Sequence, residues 1–260
     1  MNIGKYLYIF PAFLALTLTG CNHDESVGPD DPTPETQEVP DVPGIRSAAE
    51  FLDFAAAVNA GSATTGWEDE EGWVNLLADI DFSGIDNFEP VGHATAPMAG
   101  DIPEVKAGYP FAGKFNGNAC HIKNLKLTCA ETTEGRHFGI FGYLDRGAIV
   151  QNLVVESNCS MTVTTSVSLS AGMIAGVLRD ATLRDVISYA QITCNGGGAG
   201  ILAGGIAGFA GGASITGCKN YGNLVSTASD CTGGIVSLPG TGSYENNENY
   251  GEIISDSEYR

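Results

Sequence analysis

The stretch NYGNLVS (residues 220–226) returns 29 residues later as NYGEIIS (residues 249–255). Five short segments along the chain recur at a similar spacing. Their lead residues lie 28, 33, 32 and 29 positions apart: Ile122, Val150, Leu183, Ile215 and Tyr244. A glycine precedes three of these leads by seven or eight residues, at Gly142, Gly176 and Gly208. A degenerate repeat of about 30 residues, built from strand-like pieces and turn residues, predicts a solenoid.

The length of the repeat favours a β-solenoid. About 30 residues hold three strands of about five residues and three turns, which suits one coil of a parallel β-helix. Parallel crossovers are right-handed in almost every case. We therefore predict an all-β fold, a right-handed parallel β-helix, in which the five lead residues form one inward column. A sandwich of antiparallel strands is the alternative, although it would not demand the same residues in every rung.

A single helix is predicted before the repeats, at residues 48–60. Ser47 and Glu50 have the spacing of a capping box, in which each side chain bonds to the backbone N–H of the other residue. Apolar residues then follow at helical spacing: Phe51, Phe54, Ala55 and Val58. Gly61 is placed to end the helix in a left-handed conformation. This helix is predicted to cap the first coil.

The first twenty residues have the features of an export signal. Lys5 precedes an apolar run over residues 6–18, which is short for a membrane span. The run ends in LTGC (residues 18–21), which resembles the lipobox of bacterial lipoproteins. This resemblance implies cleavage after residue 20 and acylation of Cys21, with palmitate among the acyl chains. A conventional cleaved signal or a membrane anchor is the alternative.

Residues 21–44 are predicted to form a disordered tether, since five prolines among acids and threonine cannot bury enough apolar surface to fold. The acids directly behind Cys21 resemble the signal that exports lipoproteins to the outer face of the outer membrane, although ordinary linker acidity explains them equally well. Residues 45–260 would then form one domain, with an N-terminal cap over 45–110 and repeats over 111–255. The expected location is the cell envelope, at the bacterial surface.

Three segments carry a family resemblance. GIFGYL (residues 139–144) and AGGIAG (residues 203–208) resemble the GLUG motif, and FAGKFNGN (residues 111–118) resembles the entry rung of the same family. The chain is similar over about residues 45–255 to GLUG-motif surface lipoproteins of Bacteroides-like bacteria. The resemblance implies a parallel β-helix with an adhesive, non-catalytic role. Asn116 stands where that family usually has Asp, so a cation role for this side chain is in doubt.

The composition of the chain excludes one class of expected binding partner. The chain has 12 Lys and Arg against 31 Asp and Glu, a formal net charge of -19. Such a field repels phosphate, which excludes nucleic acid as an expected partner. The expected partners are the membrane, through the lipid anchor, and a glycan or a host or bacterial surface protein. The sequence carries no prediction of oligomeric state.

Candidate site residues are few, and no catalytic residue or metal ligand set is predicted. Asp79 and Asp81 lie two apart on a strand and hence on one face, as paired carboxylates of β-helical lyases and hydrolases do. Six tyrosines are candidates for a ladder on one flank that stacks against a sugar: Tyr109, Tyr143, Tyr189, Tyr221, Tyr244 and Tyr250. Among them, Tyr143 and Tyr189 are the speculative ligand contacts. Tyr221 and Tyr250 could instead simply stack on one another.

No cofactor is predicted. The one alternative is a Ca²⁺ ion on the acidic run EDEE (residues 68–71), although a solvated acidic loop is the simpler interpretation of this run.

Six cysteines remain besides Cys21, and they permit 15 disulfide pairings in an exported chain: Cys120, Cys129, Cys159, Cys194, Cys218 and Cys231. Three of them end apolar strands, which favours a ladder of reduced, inward thiols.

The sequence therefore predicts a lipid-anchored surface β-solenoid that binds a glycan or a protein without catalysis. A carbohydrate-active enzyme on the same coils, similar to a polysaccharide lyase or hydrolase, is the alternative. Such an enzyme should combine carboxylates with basic residues on a concave flank, whereas the basic residues of this chain are few and scattered.

Overall fold

The computed structural model describes residues 42–97, 102–131, 135–196, 200–227 and 231–255. All of them belong to one compact unit, Asp41–Arg260. The predicted signal peptide, Cys21 and nearly all of the predicted tether lie outside the described residues. Within the described ranges, no helix is both long enough and apolar enough to cross a membrane.

Helix α1 (Ala48–Asn59) lies where the sequence predicts it. The Ser47 hydroxyl accepts the Glu50 N–H at 3.2 Å, and Gly61 has a φ of 66° just beyond the helix. One detail of the predicted capping box is wrong, because the Glu50 carboxylate accepts the N–H of Arg46, at 2.6 Å, instead of that of Ser47. The predicted apolar face, which includes Phe51, is buried.

The strands of the first half are short and follow one another closely along the chain: β1 (Trp73–Asn75), β2 (Ile80–Asp81), β3 (Lys114–Asn116), β4 (His121–Lys123), β5 (Lys126–Cys129), β6 (Phe141–Leu144), β7 (Ile149–Gln151), β8 (Val154–Val155), β9 (Ser160–Thr165), β10 (Leu169–Gly172), β11 (Ala175–Arg179) and β12 (Thr182–Arg184). The second half continues in the same way: β13 (Ile187–Ser188), β14 (Gln191–Gly196), β15 (Ile201–Gly204), β16 (Ala207–Gly211), β17 (Ala213–Thr216), β18 (Lys219–Asn220), β19 (Leu224–Ser226), β20 (Cys231–Gly233), β21 (Val236–Pro239), β22 (Gly242–Glu245), β23 (Glu248–Asn249) and β24 (Ile253–Ser255).

These strands form five sheets that run along the solenoid. Sheet 1 is β1-β3-β7-β12-β17-β22, sheet 2 is β2-β4-β8-β13-β18-β23 and sheet 3 is β5-β9-β14-β19-β24. Sheet 4 is β10-β15-β20, and sheet 5 is β6-β11-β16-β21. Every pair of these named strands is parallel, which excludes the antiparallel sandwich. Six strands at about 4.8 Å make the tallest sheets about 24 Å high.

Sheets 1 and 2 begin earlier than the sequence indicates. Their first strands, β1 and β2, lie in the segment that was predicted as a cap over residues 45–110. The residues that close the solenoid at this end are therefore α1 and the segment around it, beginning with the parallel bridge between Ile45 and Leu76.

Four of the five predicted lead residues form one inward column in sheet 1. Val150 pairs with Leu183, Leu183 with Ile215, and Ile215 with Tyr244. The prediction for Ile122 is wrong: it lies in sheet 2, beside Ile80 and Val155, and Phe115 occupies its place in the sheet 1 column.

The error has a stereochemical cause. The corner between sheets 1 and 2 places a left-handed residue in each of the last four rungs, with φ between 52° and 68°, at Asn152, Asp185, Gly217 and Asn246. The next corner, between sheets 2 and 3, places Asn124 in the same conformation, with φ of 57°. Asparagine, aspartate and glycine tolerate this conformation better than other residues do. Two different corners therefore share one sequence pattern.

The predicted glycine column lies in sheet 5, where Gly142, Gly176 and Gly208 occupy equivalent positions because their neighbours pair in register. A Cβ atom on Gly176 would lie 2.6 Å from the backbone nitrogen of Phe138. Since no side chain fits in that space, these glycines allow the backbones of adjacent coil segments to pack directly against one another.

Amide side chains hydrogen-bond to one another between rungs. Asn116 donates to the side-chain oxygen of Asn75 at 3.0 Å and accepts from Asn152 at 3.0 Å. Asp69 in turn accepts from Asn75 at 2.7 Å. A carboxylate at position 116 could not donate to Asn75, so the amide that replaces the usual Asp of the resembled family serves this ladder.

All six described cysteines are free thiols. Four are buried, but they do not form the predicted ladder, because Val163 lies between Cys129 and Cys194 and the other two lie at different corners. Burial raises the pKa of Cys129 and Cys194 to about 12. Free cysteine at such positions behaves as a small apolar residue. Because side chains alternate between the inside and the outside along each strand, a cysteine at an inward position is buried.

Candidate functional site

Three of the four predicted ligand contacts lie on one surface, the outer face of sheet 2. Two outward columns run along this face, as the strand register shows. The first column contains Asp79, His121, Val154, Ile187, Lys219 and Glu248. The second contains Asp81, Lys123, Glu156, Tyr189, Tyr221 and Tyr250. The second column is therefore charged near the N-terminal end and aromatic near the C-terminal end.

The two aspartates are hydrogen-bonded within the charged half. Asp79 accepts from the Lys123 ammonium group at 2.7 Å and from the backbone N–H of His121 at 2.9 Å. The hydrogen bond from Lys123 is the main cause that lowers the pKa of Asp79. The Asn124 amide, which donates to Asp81 at 2.7 Å, lowers the pKa of that carboxyl. Both side chains are thus ionised acceptors that link neighbouring rungs.

The aromatic half is a continuous stack of three rings. The centroids of Tyr189 and Tyr221 are 4.8 Å apart at an interplanar angle of 14°, and those of Tyr221 and Tyr250 are 4.7 Å apart at 8°. The exposed fractions are 38% for Tyr189, 38% for Tyr221 and 57% for Tyr250. Since neighbouring rings cover each other's faces, the stack presents ring edges and hydroxyl groups to solvent, together with the outer ring face of Tyr250.

A small polar network fixes the end of this stack. The Tyr250 hydroxyl donates to the Glu248 carboxylate at 2.8 Å, and Lys219 bonds to the same carboxylate at 3.0 Å. These two contacts lower the pKa of Glu248, with Lys219 as the larger cause, and the bond to Glu248 raises the pKa of Tyr250. The network holds the last ring parallel to the one below it.

The Asn-Tyr-Gly sequence explains why the rings coincide. The buried Asn220 amide donates to the Gly222 carbonyl and to the Asn249 side chain, both at 2.9 Å. A Cβ atom on Gly222 would lie 1.8 Å from the Ala190 carbonyl oxygen, so only glycine fits at position 222. An inward Asn before the tyrosine and a glycine after it therefore hold the side chain outward at the same place in the rungs of Tyr221 and Tyr250.

The fourth predicted contact, Tyr143, is not on the surface. Its side chain is fully buried, its hydroxyl donates to the carbonyl of Pro103, and Arg179 lies over its ring at 5.6 Å. Burial raises the pKa of Tyr143 to about 12. A segment outside the repeat, which includes Pro103, covers this part of sheet 5, and the local sequence around Tyr143 carries no sign of that cover. Tyr109 is exposed elsewhere, and Tyr244 is half-buried at the end of sheet 1.

The acidic run at residues 68–71 is organised by hydrogen bonds. Asp69 accepts the backbone N–H groups of Trp73 at 2.8 Å and Glu71 at 3.1 Å, besides the Asn75 amide. The bond from Trp73 is the main cause that lowers the pKa of Asp69. In the part of the chain that the structure describes, no three His, Cys, Asp or Glu side chains are grouped so that they could hold a metal ion.

A cleft that sequence reasoning missed lies beside α1. It has a volume of about 540 Å³ and is lined by Leu52, Ala55, Ala56, Asn59, Asn87, Glu89, His93 and Arg136. These residues come from three separate segments and follow no common pattern, so only the fold brings them together.

No protein-family model matches the chain, and no curated protein matches it either. Among solved structures, the chain is similar to one described as "a putative immunoglobulin A1 protease from Bacteroides ovatus", with 20% sequence identity, over 82% of this chain and 83% of that one, at a TM-score of 0.37. An identity and a TM-score this low carry no argument about function, and the GLUG resemblance stays a prediction from the sequence.

Proposed function

We propose that this protein is a lipid-anchored, surface-displayed β-solenoid that binds another protein through the outer face of sheet 2 and catalyses no reaction. The single observation that carries the proposal is the exposed stack of Tyr189, Tyr221 and Tyr250. Tyrosine is enriched where proteins bind one another, because it offers a large contact area and a hydroxyl group at low entropic cost.

The geometry of the stack favours a protein partner over a glycan. A sugar that stacks on an aromatic residue needs an open ring face, and in this stack the ring faces that point toward a neighbouring tyrosine are covered, including both faces of Tyr221. Ring edges and hydroxyl groups at a regular spacing of 4.7–4.8 Å instead suit a flat protein surface. The charged half of the face, with Lys123 and Asp79, would set the orientation of the partner.

The engagement of both aspartates supports a non-catalytic role. A general acid at neutral pH needs a raised pKa, whereas the pKa values of Asp79 and Asp81 are lowered by their hydrogen bonds. A carbohydrate-active enzyme remains the rival function. It predicts that a panel of polysaccharides yields unsaturated or hydrolysed products, and that Asp79→Ala or Asp81→Ala abolishes them. Such turnover would overturn the proposal.

Binding is tested with the purified protein on an array of extracellular protein domains and on a glycan array. A variant with Tyr189→Ser, Tyr221→Ser and Tyr250→Ser should lose its protein signals. Tyr109→Ser, which changes a tyrosine of comparable exposure outside the stack, should keep them. Signals from glycans alone, lost in the triple variant, would replace the protein partner by a glycan, and no signal on either array would refute the assignment of the face.

The anchor is tested separately. Labelled palmitate should be incorporated into the wild-type protein and not into Cys21→Ser. Protease added to intact cells should remove the wild-type protein if it is displayed outside. A protein that is unlabelled, or protected from protease, would contradict the lipid anchor or the surface location, respectively.

A further inference from the structure

The cleft beside α1 has two chemically different walls. The lining residues from α1 include three apolar ones, Leu52, Ala55 and Ala56. The lining residues from outside the helix carry an amide, a carboxylate, an imidazole and a guanidinium group, from Asn87, Glu89, His93 and Arg136. Clefts of this size, with one apolar surface and a few convergent polar groups, are typical of small-molecule binding sites.

The polar wall is held in place by hydrogen bonds to the helix. Asn59 donates to the Pro90 carbonyl at 3.0 Å and accepts the His93 N–H at 2.9 Å, so one side chain joins α1 to the segment that contains Glu89 and His93. His93 Nδ1 bonds to the Glu89 carboxylate at 2.8 Å. A site with this degree of preorganisation loses little entropy when a ligand binds.

His93 supplies a second indication of a ligand. Its side chain is only 9% exposed, yet its Nε2 atom is buried without a hydrogen-bond partner among the described residues. A buried polar atom without a partner costs free energy, and such atoms are uncommon in native proteins. Rotation of the ring or entry of a hydroxyl group would satisfy this nitrogen.

The charges of the cleft exclude an anion as the favoured ligand. Glu89 is negative and 72% exposed, Arg136 lies 3.6 Å from the Glu131 carboxylate, and the whole chain carries a formal net charge of -19. The cleft thus combines an apolar wall with hydrogen-bond acceptors and donors and has no excess of positive charge. A sugar ring matches both walls, because its C–H face is apolar and its hydroxyl groups both donate and accept.

We propose that this cleft binds a neutral sugar ring, whose C–H face packs on Leu52 and Ala56 and whose hydroxyl groups bond to Glu89, Asn87 and Arg136. The Glu89 carboxylate accepts from two adjacent hydroxyl groups, while the Asn87 amide and the Arg136 guanidinium donate to ring or hydroxyl oxygens. This site is independent of the protein-binding function proposed for the outer face of sheet 2.

The test is ligand-observed NMR titration of the purified protein with the methyl glycosides of glucose, galactose and mannose. At least one should bind saturably with a Kd of about 1 mM or below. Glu89→Gln and Asn87→Ala should each weaken that binding about tenfold, since each loses a hydrogen bond to the sugar. Both changes lie at the rim of the cleft, so folding is checked by the unchanged melting temperature.

Two matched controls make the result specific. Glu104→Gln changes a carboxylate with the same 72% exposure, paired with Lys106 outside the cleft, and should leave sugar binding unchanged. Tyr250→Ser, on the outer face of sheet 2, should also leave it unchanged. No saturable binding below about 50 mM would overturn the proposal. So would preferential binding of methyl glucuronide, or a loss of sugar binding in either control.

Discussion

The two ends of the solenoid are built differently. At the N-terminal end, α1 covers the first rungs and places Phe51 and Phe54 in a cluster of aromatic rings, with centroid separations of 5.6 Å from Phe51 to Phe82 and 5.9 Å from Phe54 to Phe111. At the C-terminal end, apolar side chains of the last rung stay exposed, with Leu238 at 41% and Ile253 at 38%.

The difference shows how a solenoid distributes its stability. Each rung is buried by its neighbours, so a terminal rung needs a cap of a different kind. The N-terminal rungs have such a cap in α1. In the last rung, Ile253 repeats the inward position of Leu224, which is fully buried, yet it gains much less burial. We therefore expect substitutions to cost more at the closed end than at the open end.

The largest expected effect comes from the cap. Phe51→Ala removes a ring that is 1% exposed and leaves a cavity among four other phenylalanines. It should lower the free energy of unfolding by about 3–5 kcal/mol in urea titrations. As a control at the open end, Ile254→Ala, at 48% exposure, should change it by no more than about 0.5 kcal/mol. Equal losses would contradict the contrast between the two ends.

The second-largest expected effect is a pH dependence of the free energy of unfolding, caused by a buried histidine. His137 is 1% exposed; its Nε2 bonds to the Ala96 carbonyl at 2.8 Å, and its Nδ1 accepts the Ser170 N–H at 3.0 Å. Burial lowers its pKa to about 4, with the nearby His93 as a minor cause. The unfolded chain, with a histidine pKa of about 6.5, therefore takes up the proton first.

The sign follows from this difference. The stabilising contribution of neutral His137 is complete above pH of about 6.5 and is lost as the pH falls toward 4, by up to about 3 kcal/mol. His137→Gln should be less stable at pH 7.5 but should show a flatter profile between these limits in urea titrations. An unchanged slope in that variant would assign the pH dependence to other groups.

A smaller difference in the free energy of unfolding is expected between Asn220 and Asn249, whose side chains are hydrogen-bonded to each other near the open end. Asn220 is buried with both functions of its amide bonded, whereas Asn249, one rung further, is exposed. Asn220→Ala leaves the Gly222 carbonyl without its partner and should cost about 2 kcal/mol. Asn249→Ala should cost less than half as much. Thermal unfolding of the two variants measures the difference, and the reverse order would refute the role of burial in this pair.

The smallest change is chemical and leaves the fold intact. Cys231, half-buried in the last rung of sheet 4, and Cys120 should react with a thiol reagent in the native protein, whereas the four buried thiols should be protected. Burial raises the pKa of Cys159 and Cys218 to about 11, so few of these groups are thiolates at neutral pH. Peptide mass mapping after brief alkylation identifies the modified positions. Rapid labelling of Cys194 would show that the coils open.

Much of the scaffold is predictable because its rules are local. A corner needs a residue that tolerates positive φ, an inward position needs an apolar side chain, and a helix start needs a cap such as Ser47. The same local character limits the prediction. Asn124 and Asn152 satisfy the same requirement at different corners, so their surroundings in sequence did not reveal which sheet contains Ile122.

The candidate site likewise has a part that the local sequence predicts and a part that it does not. The repeated Asn-Tyr-Gly corner was enough to suggest that Tyr221 and Tyr250 stack, since equivalent residues of successive coils lie about 4.8 Å apart. That Tyr189 joins them depends on a Ser-Tyr-Ala corner without that signature, in which the Ser188 hydroxyl accepts the Ala190 N–H. Tyr143 looks similar in sequence but is covered by a segment from outside the repeat.

The sequence by itself determined the parallel solenoid, its helix and its glycine column, because each depends on residues that repeat at a regular spacing and on backbone preferences that act within one turn. Only the tertiary structure decided the register of the first rungs, which tyrosines face solvent, and the cleft between α1, Glu89 and Arg136. These features arise where segments far apart in the chain meet, and the free energy of such contacts depends on shape and burial that no single segment encodes.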